Sequence, residues 1–133
     1  MMIQKNREQR EKIIENKDYV RIGSKHQGVY ILKTEIVYLE ACKGYAWIYL
    51  KNGLRKLSSK SIGTYETLFS EDNFMRIHRS YLINLSYLKL LEPSYRLAYL
   101  KGEIVLPISH RKNRFILKMM DNKDADTPFK MAM

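Results

Sequence analysis

The chain has 133 residues and carries 24 Lys and Arg against 14 Asp and Glu, a formal net charge of +10. A chain of this length fits one domain with a short extension at each end and can build its own hydrophobic core. The positive charge favours a polyanionic partner, meaning a nucleic acid or an anionic membrane surface. Cys42 is the only cysteine, which excludes an intramolecular disulfide, and no apolar run approaches the ~20 residues of a membrane span.

The first segment, Met1–Lys17, is rich in charged helix formers and has no apolar signal-peptide core. It lacks a continuous apolar stripe, so we expect a charged, solvated helix or arm. The alternative for this segment is a dimerisation or partner-docking helix. The missing signal peptide and the single cysteine favour residence in the cytoplasm.

Short β-branched and aromatic runs begin after residue 17 and predict strands. These runs are Tyr19–Ile22, Gly28–Leu32, Ile36–Leu39, Tyr45–Leu50 and Leu54–Leu57. Asn52–Gly53 predicts a tight hairpin turn between the last two. Alternation places Tyr45, Trp47 and Tyr49 on one face of their strand, which is either a buried sheet face or a platform for unpaired bases.

A helix is predicted over Ser58–Phe69, where serines offer caps and apolar residues recur at helical spacing. A polar turn then leads into Phe74–Asn84, the segment with the strongest functional signal. An apolar run there can anchor four polar residues at a surface: Arg76, His78, Arg79 and Ser80. Arginine suits phosphate or guanine, and Asn84 could pair with adenine. The same pattern is typical of the solvent side of an edge strand, and asparagine is also a ready helix cap or turn residue.

The C-terminal third predicts a second hairpin and a helix. Tyr87–Leu91 fits a helix or a strand, and Arg96–Leu100 and Ile104–Leu106 flank a compact turn. Ser109 is expected to cap a helix. The apolar face of that helix is predicted from Phe115, Ile116, Met119 and Met120, and its basic groups are Arg111, Lys112, Arg114 and Lys118. The predicted organisation is an arm over 1–17, a domain over 18–120 and a polar, disordered tail over 121–133.

In this order the pieces resemble a LytTR-type DNA-binding domain, the output module of many bacterial response regulators. The resemblance is carried by Ile36–Glu40, by Phe74–Asn84 with its His-Arg-Ser and final Asn, and by Leu106–Arg111 with its Leu-Pro-Ile-Ser. It covers roughly Tyr19 to Lys118. It implies a mainly β fold of small antiparallel sheets side by side with short helices. It also implies that loops, rather than a recognition helix, enter successive major grooves of DNA.

The resemblance further implies which residues contact DNA. Base contacts are expected from the loop that holds Lys43 and Tyr45, from Asn84, and from His110 with Arg111 beside it. The family usually has arginine where this chain has His110, so we expect that departure to affect base preference. Phosphate contacts are assigned to Arg76, Arg79, Ser80, Lys112 and Arg114, and His78 and Ser109 complete the predicted interface.

Members of this family commonly carry a receiver domain in front of the DNA-binding module. Only about 18 residues precede the first predicted strand here, too few for a domain. We therefore expect a stand-alone member, with an excised output domain as the alternative.

The leading hypothesis is sequence-specific binding of double-stranded DNA for transcriptional control, with homodimers on tandem sites and with no cofactor, membrane or small-molecule substrate. One alternative is an RNA or single-stranded nucleic-acid binder with an aromatic β surface. The other is a protein-interaction module that modulates another regulator. Catalysis is not expected, because the three histidines show no metal-ligand spacing and Cys42 has no evident activating base.

Overall fold

The computed structural model describes residues 18–121. The predicted arm over 1–17 and nearly all of the predicted tail lie outside the described residues. The described chain is mostly strand: β1 (Tyr19–Gly23), β2 (Gly28–Leu32), β3 (Ile36–Cys42), β4 (Tyr45–Leu50), β5 (Arg55–Ser58), β6 (Phe74–His78), β7 (Tyr81–Asn84), β8 (Leu88–Glu92), β9 (Leu97–Leu100) and β10 (Ile104–Pro107). The α-helices in it are α1 (Ile62–Leu68) and α2 (His110–Asp121), and short 3₁₀ turns cover Lys33–Glu35 and Leu85–Tyr87.

These strands form three antiparallel sheets. The largest is five-stranded in the order β5-β4-β3-β7-β6, the second is three-stranded in the order β10-β9-β8, and β1 and β2 form a separate hairpin. The expected fold class, mainly β with small antiparallel sheets and short helices, is confirmed. Along the described residues, no helix combines the length and apolar character that a membrane crossing needs.

Strand β3 lies at the centre of the large sheet and is buried on both faces, which explains its continuous apolar run. Ile36 and Leu39 belong to a hydrophobic core that also contains residues of the β1–β2 hairpin and α1. Val37 and Tyr38 belong to a second core, shared with the three-stranded sheet and with α2. A bulge between Ile36 and Tyr38 lets these two consecutive residues enter the same core. The large sheet therefore separates two cores.

The helix α1 begins later than the sequence predicted. Ser61 is its cap, because its hydroxyl accepts a hydrogen bond from the Thr64 backbone N–H at 3.2 Å. Ser58 instead ends β5, where it is fully buried and shares a 2.5 Å hydrogen bond with the Tyr65 hydroxyl. A strand residue that satisfies a buried tyrosine is indistinguishable in sequence from a helix cap.

The C-terminal elements settle two open points. Tyr87–Leu91, which fitted a helix or a strand, forms the end of a 3₁₀ turn and most of β8. Ser109 caps α2 as predicted, since its hydroxyl accepts the Lys112 backbone N–H at 3.1 Å. The predicted apolar face is wrong at Phe115, which is 52% exposed, because the inward face of α2 passes through Asn113 and Ile116.

Candidate nucleic-acid interface

Two hairpin turns and the start of α2 lie at one end of the large sheet. The end of β3 meets the β6–β7 turn through a 2.9 Å hydrogen bond from the Ala41 N–H to the Ser80 carbonyl. The end of β6 meets the residue before α2 through a 2.8 Å bond from the Ser109 N–H to the Ile77 carbonyl. Backbone bonds to one central hairpin, β6–β7, therefore tie three separate segments together.

The β3–β4 turn consists of two residues, Lys43 and Gly44, between the paired Cys42 and Tyr45. Both residues have positive φ, 50° and 86°, as in the type I′ turns that match the twist of a hairpin. The turn is stable through its own backbone geometry. It leaves Lys43 and Tyr45 exposed at the end of the sheet.

The β6–β7 turn also has two central residues, Arg79 and Ser80, because His78 pairs with Tyr81. It lacks the geometry of the first turn. Among the described residues other than glycine, positive φ occurs only at Lys43, Arg96 and Glu103, so neither Arg79 nor Ser80 has it. A two-residue hairpin without positive φ fits the strand twist poorly and needs support from outside its backbone.

Arg76 supplies most of that support. Its Nε donates to the His78 carbonyl at 2.8 Å, and its Nη2 donates to the Arg79 carbonyl. Its Nη1 pairs with the Glu66 carboxylate on α1 at 2.9 Å. All three nitrogens of the guanidinium are thus engaged within the protein.

His78 and Tyr81 hold the two flanks of the turn. The His78 Nδ1 accepts the Ser80 N–H at 3.1 Å, which requires that this nitrogen carry no proton. Burial lowers the pKa of His78, and the neighbouring Arg79 and Arg76 charges lower it further. The Tyr81 hydroxyl donates to Glu40 at 3.0 Å. Burial raises the pKa of Tyr81, and the Glu40 carboxylate raises it further.

A bulge at Ile77 connects the turn to α2. The register of β6 against β7 shifts between Arg76 and His78, so Ile77 has no partner in the ladder. Its carbonyl is therefore available to the Ser109 N–H, just before α2 begins. Since α2 begins at the next residue, this bond holds the basic side chains of its first turn close to the β6–β7 hairpin.

Between the turn and the helix lies a cleft of about 590 Å³, which we call the basic cleft. Its lining residues are Glu66, Arg76, His78, Arg79, Ser109, Arg111, Lys112 and Phe115. Six of these were predicted as interface residues and come from two segments distant in sequence. Four cations and one carboxylate give the cleft a positive balance that suits an anionic ligand.

The other predicted residues surround the cleft or lie apart from it. Lys43 and Tyr45 belong to the neighbouring turn, and His110 and Arg114 are exposed on α2 without lining the cleft. Ser80 is half-buried, with its N–H bonded to His78 and its carbonyl bonded to Ala41. The backbone of Ser80 therefore stabilises the turn and its contact with β3.

The structure contradicts the expectation that Asn84 reads bases. Its side chain is 4% exposed, its Nδ2 donates to the Ile36 carbonyl at 2.8 Å, and its Oδ1 accepts the Ser86 N–H at 3.0 Å. It also lies at the end of β7 away from Arg79. Asn84 caps the 3₁₀ turn and joins it to β3, in agreement with the alternative assignment as a cap or turn residue.

The Arg76 guanidinium has three partners within the protein, two carbonyls and one carboxylate, and its assignment to phosphate stays a prediction. Two cleft residues, Glu66 and Phe115, were absent from the predicted interface. Phe115 carries the Lys112 ammonium 5.0 Å above its ring. No sequence signal joins Glu66 to Arg76, since the two belong to different elements and meet only in the folded chain.

The row Tyr45, Trp47 and Tyr49 is not a buried sheet face. Tyr45 is 49% exposed, and the other two are half-buried. The Arg55 guanidinium covers the Trp47 ring at 3.9 Å, and Tyr49 stacks on Tyr38 with ring centroids 4.3 Å apart. Two of the three rings already have a stacking partner within the protein.

Comparison with known proteins points in one direction. The family model for the LytTr DNA-binding domain matches residues 26–121. Among solved structures, the chain is similar to one described as the LytTr DNA-binding domain of a methyl-accepting/DNA response regulator from Bacillus cereus. The identity is 21% and the TM-score 0.66, over 79% of this chain and 98% of that chain. At this identity the likeness concerns the fold. No curated protein matches the chain.

Asn84→Ala tests the structural role of the buried amide. The substitution leaves the Ile36 carbonyl and the Ser86 N–H without partners, so we expect a loss of about 1–3 kcal/mol in the free energy of unfolding. Chemical denaturation measures this loss. The control is Asn73→Ala, an exposed asparagine near Ser86, which should cost less than about 0.5 kcal/mol. A stability change at Asn84 no larger than that of the control would contradict the assignment.

His78 gives a pH-dependent prediction. In the folded protein its pKa is lowered from 6.5, so the unfolded chain binds more protons between the folded pKa and 6.5. The contribution of neutral His78 to stability is therefore complete above pH 6.5 and is lost as the pH falls through the folded pKa. An NMR titration should give an imidazole midpoint below 6.5, and the Ser80 amide should shift with the same midpoint. A Ser80 amide that ignores the titration would rule out the Nδ1 hydrogen bond.

Proposed function

The chain belongs to the LytTr DNA-binding domain family, and on that premise we propose that it binds double-stranded DNA at particular sequences and thereby regulates transcription. Membership itself carries the coarser role of a DNA-binding regulator. The finer proposal concerns sequence choice and the way the duplex is contacted. We include residence in a bacterial cytoplasm in the proposal, because that compartment holds the DNA on which such a regulator would act.

The observation that carries the proposal is the meeting of three basic segments at one end of the sheet. Two tight turns and a capped helix present Lys43, Arg79, Arg111 and Lys112 on adjacent segments. Phosphate contacts from such cations supply affinity for any duplex and make it sensitive to salt. Contacts to base edges add the choice of sequence.

Base reading falls to exposed side chains that the protein does not use for its own structure. Arg79 is exposed at the tip of the β6–β7 turn, and His110 and Arg111 are exposed at the start of α2. A guanidinium can bond guanine O6 and N7 together, which makes Arg79 and Arg111 candidates for guanine. Further along the helix, Lys112 suits a phosphate as a compact positive charge, and Arg114 suits one through its planar guanidinium.

The proposal includes insertion of these segments into the major groove, and their shape supports it. A two-residue turn and the first residues of a helix are narrow enough to enter the major groove, which is about 12 Å wide. The β3–β4 turn lies beside the β6–β7 turn, so it can contact the same duplex a few base pairs away. We include homodimers on tandem sites in the proposal, since two copies on repeated sites would add their contacts.

The single-stranded alternative is not favoured, because stacking of bases needs free aromatic faces. Trp47 is covered by Arg55, and Tyr49 is stacked on Tyr38. The protein-interaction alternative rested on the segment 1–17, outside the described residues. Comparing duplex affinity with and without that segment tests it, and unchanged affinity would make the segment accessory.

Selection from a random pool of duplexes tests the proposal directly. Repeated rounds of binding to the full chain should enrich a defined sequence, and that sequence should bind more tightly than the starting pool. A chain that retains all duplexes equally at physiological salt would bind DNA without reading it. A chain that retains none would lack the proposed function.

Arg79→Ala and Lys112→Ala separate the two kinds of contact. We expect Arg79→Ala to weaken the selected duplex by about 1–3 kcal/mol and random duplex by less, because it removes a base contact. Lys112→Ala should weaken both similarly and reduce the slope of log affinity against log salt by about 1. Fluorescence anisotropy over a salt series measures both quantities.

The matched control is Lys101→Ala. Lys101 is exposed at the opposite end of β10 from Ser109, so its removal should leave affinity for the selected duplex almost unchanged. Equal losses on selected and random duplexes for Arg79→Ala would assign Arg79 to phosphate instead.

A further inference from the structure

The β6–β7 turn presents Arg79, yet its backbone does not favour its own shape. Arg79 and Ser80 both lack the positive φ that the Lys43–Gly44 turn uses. An unsupported turn of this kind would sample several shapes and would spread the Arg79 side chain over several positions. Precise contact with a base edge requires that the Arg79 side chain be held in a single position.

The support comes from a small network in the basic cleft. The Arg76 guanidinium bonds the carbonyls of His78 and Arg79, which are successive residues of the turn. Two carbonyls held by one planar group fix the orientation of both peptide units. The third nitrogen of Arg76 donates to Glu66 on α1. Because α1 packs into the hydrophobic core, this bond fixes the position of the turn relative to the core.

We infer that Arg76 and Glu66 are positioning residues for DNA reading: they hold the Arg79–Ser80 turn in the shape that presents Arg79, and they do not contact DNA. The inference rests on the proposed function for its consequence. Its structural half, the bracing of the turn, can be tested without DNA.

Glu66 gives the most discriminating test of the inference, because DNA repels its negative charge. Its carboxylate lines a cleft of four cations, and its side chain is 50% exposed. An exposed ion pair of this kind adds little to overall stability. If Glu66 were only a nearby charge, its neutralisation would strengthen binding to every duplex. If it positions Arg76, its neutralisation weakens the selected duplex even though repulsion is lost.

Three variants of the full chain test these opposite signs. Glu66→Gln removes the charge with little change in shape, and Arg76→Lys keeps the charge but cannot bond two carbonyls with one planar group. The control is Glu71→Gln, an exposed glutamate in the turn before β6, at the end of that strand away from His78. The probes are the duplex selected by the wild-type chain and the unselected random pool.

We expect Glu66→Gln to bind the selected duplex roughly two- to tenfold more weakly, because the charge-assisted hydrogen bond from Arg76 is replaced by a weaker one to a neutral amide oxygen. Its affinity for the random pool should stay equal or rise. Arg76→Lys should lose at least as much affinity for the selected duplex, with little change in its affinity for the random pool. Glu71→Gln should change the affinity for the selected duplex and for the random pool by the same factor. Tighter binding of both duplexes by Glu66→Gln, or an equal loss of affinity for both duplexes in Arg76→Lys, would overturn the inference.

Amide hydrogen exchange of the free protein tests the brace itself. The Ser80 N–H is bonded inside the turn to His78, so its exchange reports the turn's closed shape. Glu66→Gln and Arg76→Lys should each speed that exchange roughly two- to tenfold, and Glu71→Gln should not. Unchanged exchange in both variants overturns the inference. A wild-type chain that selects no duplex overturns the proposed function, and exchange then decides the brace independently.

Discussion

The antiparallel register of β3 against β7 decides which residues can meet a ligand together. Glu40 lies opposite Tyr81 and Tyr38 lies opposite Ile83, so the last residues of β3 and the first residues of β7 lie at the same end of the sheet. At about 3.4 Å per residue, Asn84 lies roughly 10 Å farther along β7. The segment Phe74–Asn84, which looks like one functional block in the sequence, is therefore a hairpin whose two ends lie together at Phe74 and Asn84. Only its middle, from Arg76 to Arg79, reaches the basic cleft.

The bulge at Ile77 is the second constraint on the site. A regular pairing of β6 with β7 would use the Ile77 carbonyl in the sheet or point it elsewhere. The shift in register leaves that carbonyl for Ser109. In this way one irregular residue joins the hairpin to a helix some thirty residues further along the chain, and the basic side chains of both come to line the same space.

The sequence predicted the strands, the hairpins, the cap at Ser109 and the fold class, because alternation, turn residues and caps are local signals. It also brought Arg79, Arg111 and Lys112 into one predicted interface, through the order of the motifs. It does not decide between the two uses that some polar residues can have. Asn84 and Arg76 carry donors that serve a ligand or the protein's own backbone equally well, and their partners are carbonyls, which every residue supplies. Only the fold decides between the two uses, and for the same reason the Glu66 partner of Arg76 had no sequence signal.

A carboxylate beside DNA-binding cations carries a cost in affinity, and the physics of discrimination explains why a reader can keep one. Phosphate attraction acts on every duplex, so it raises wanted and unwanted binding together. Repulsion from Glu66 lowers both in the same way. The orientation that it gives Arg76 and the turn acts only where Arg79 meets its base. Preorganisation of the turn also reduces the conformational entropy lost on binding. The ratio of wanted to unwanted binding, which is the measure of specificity, therefore rises even as total electrostatic attraction falls.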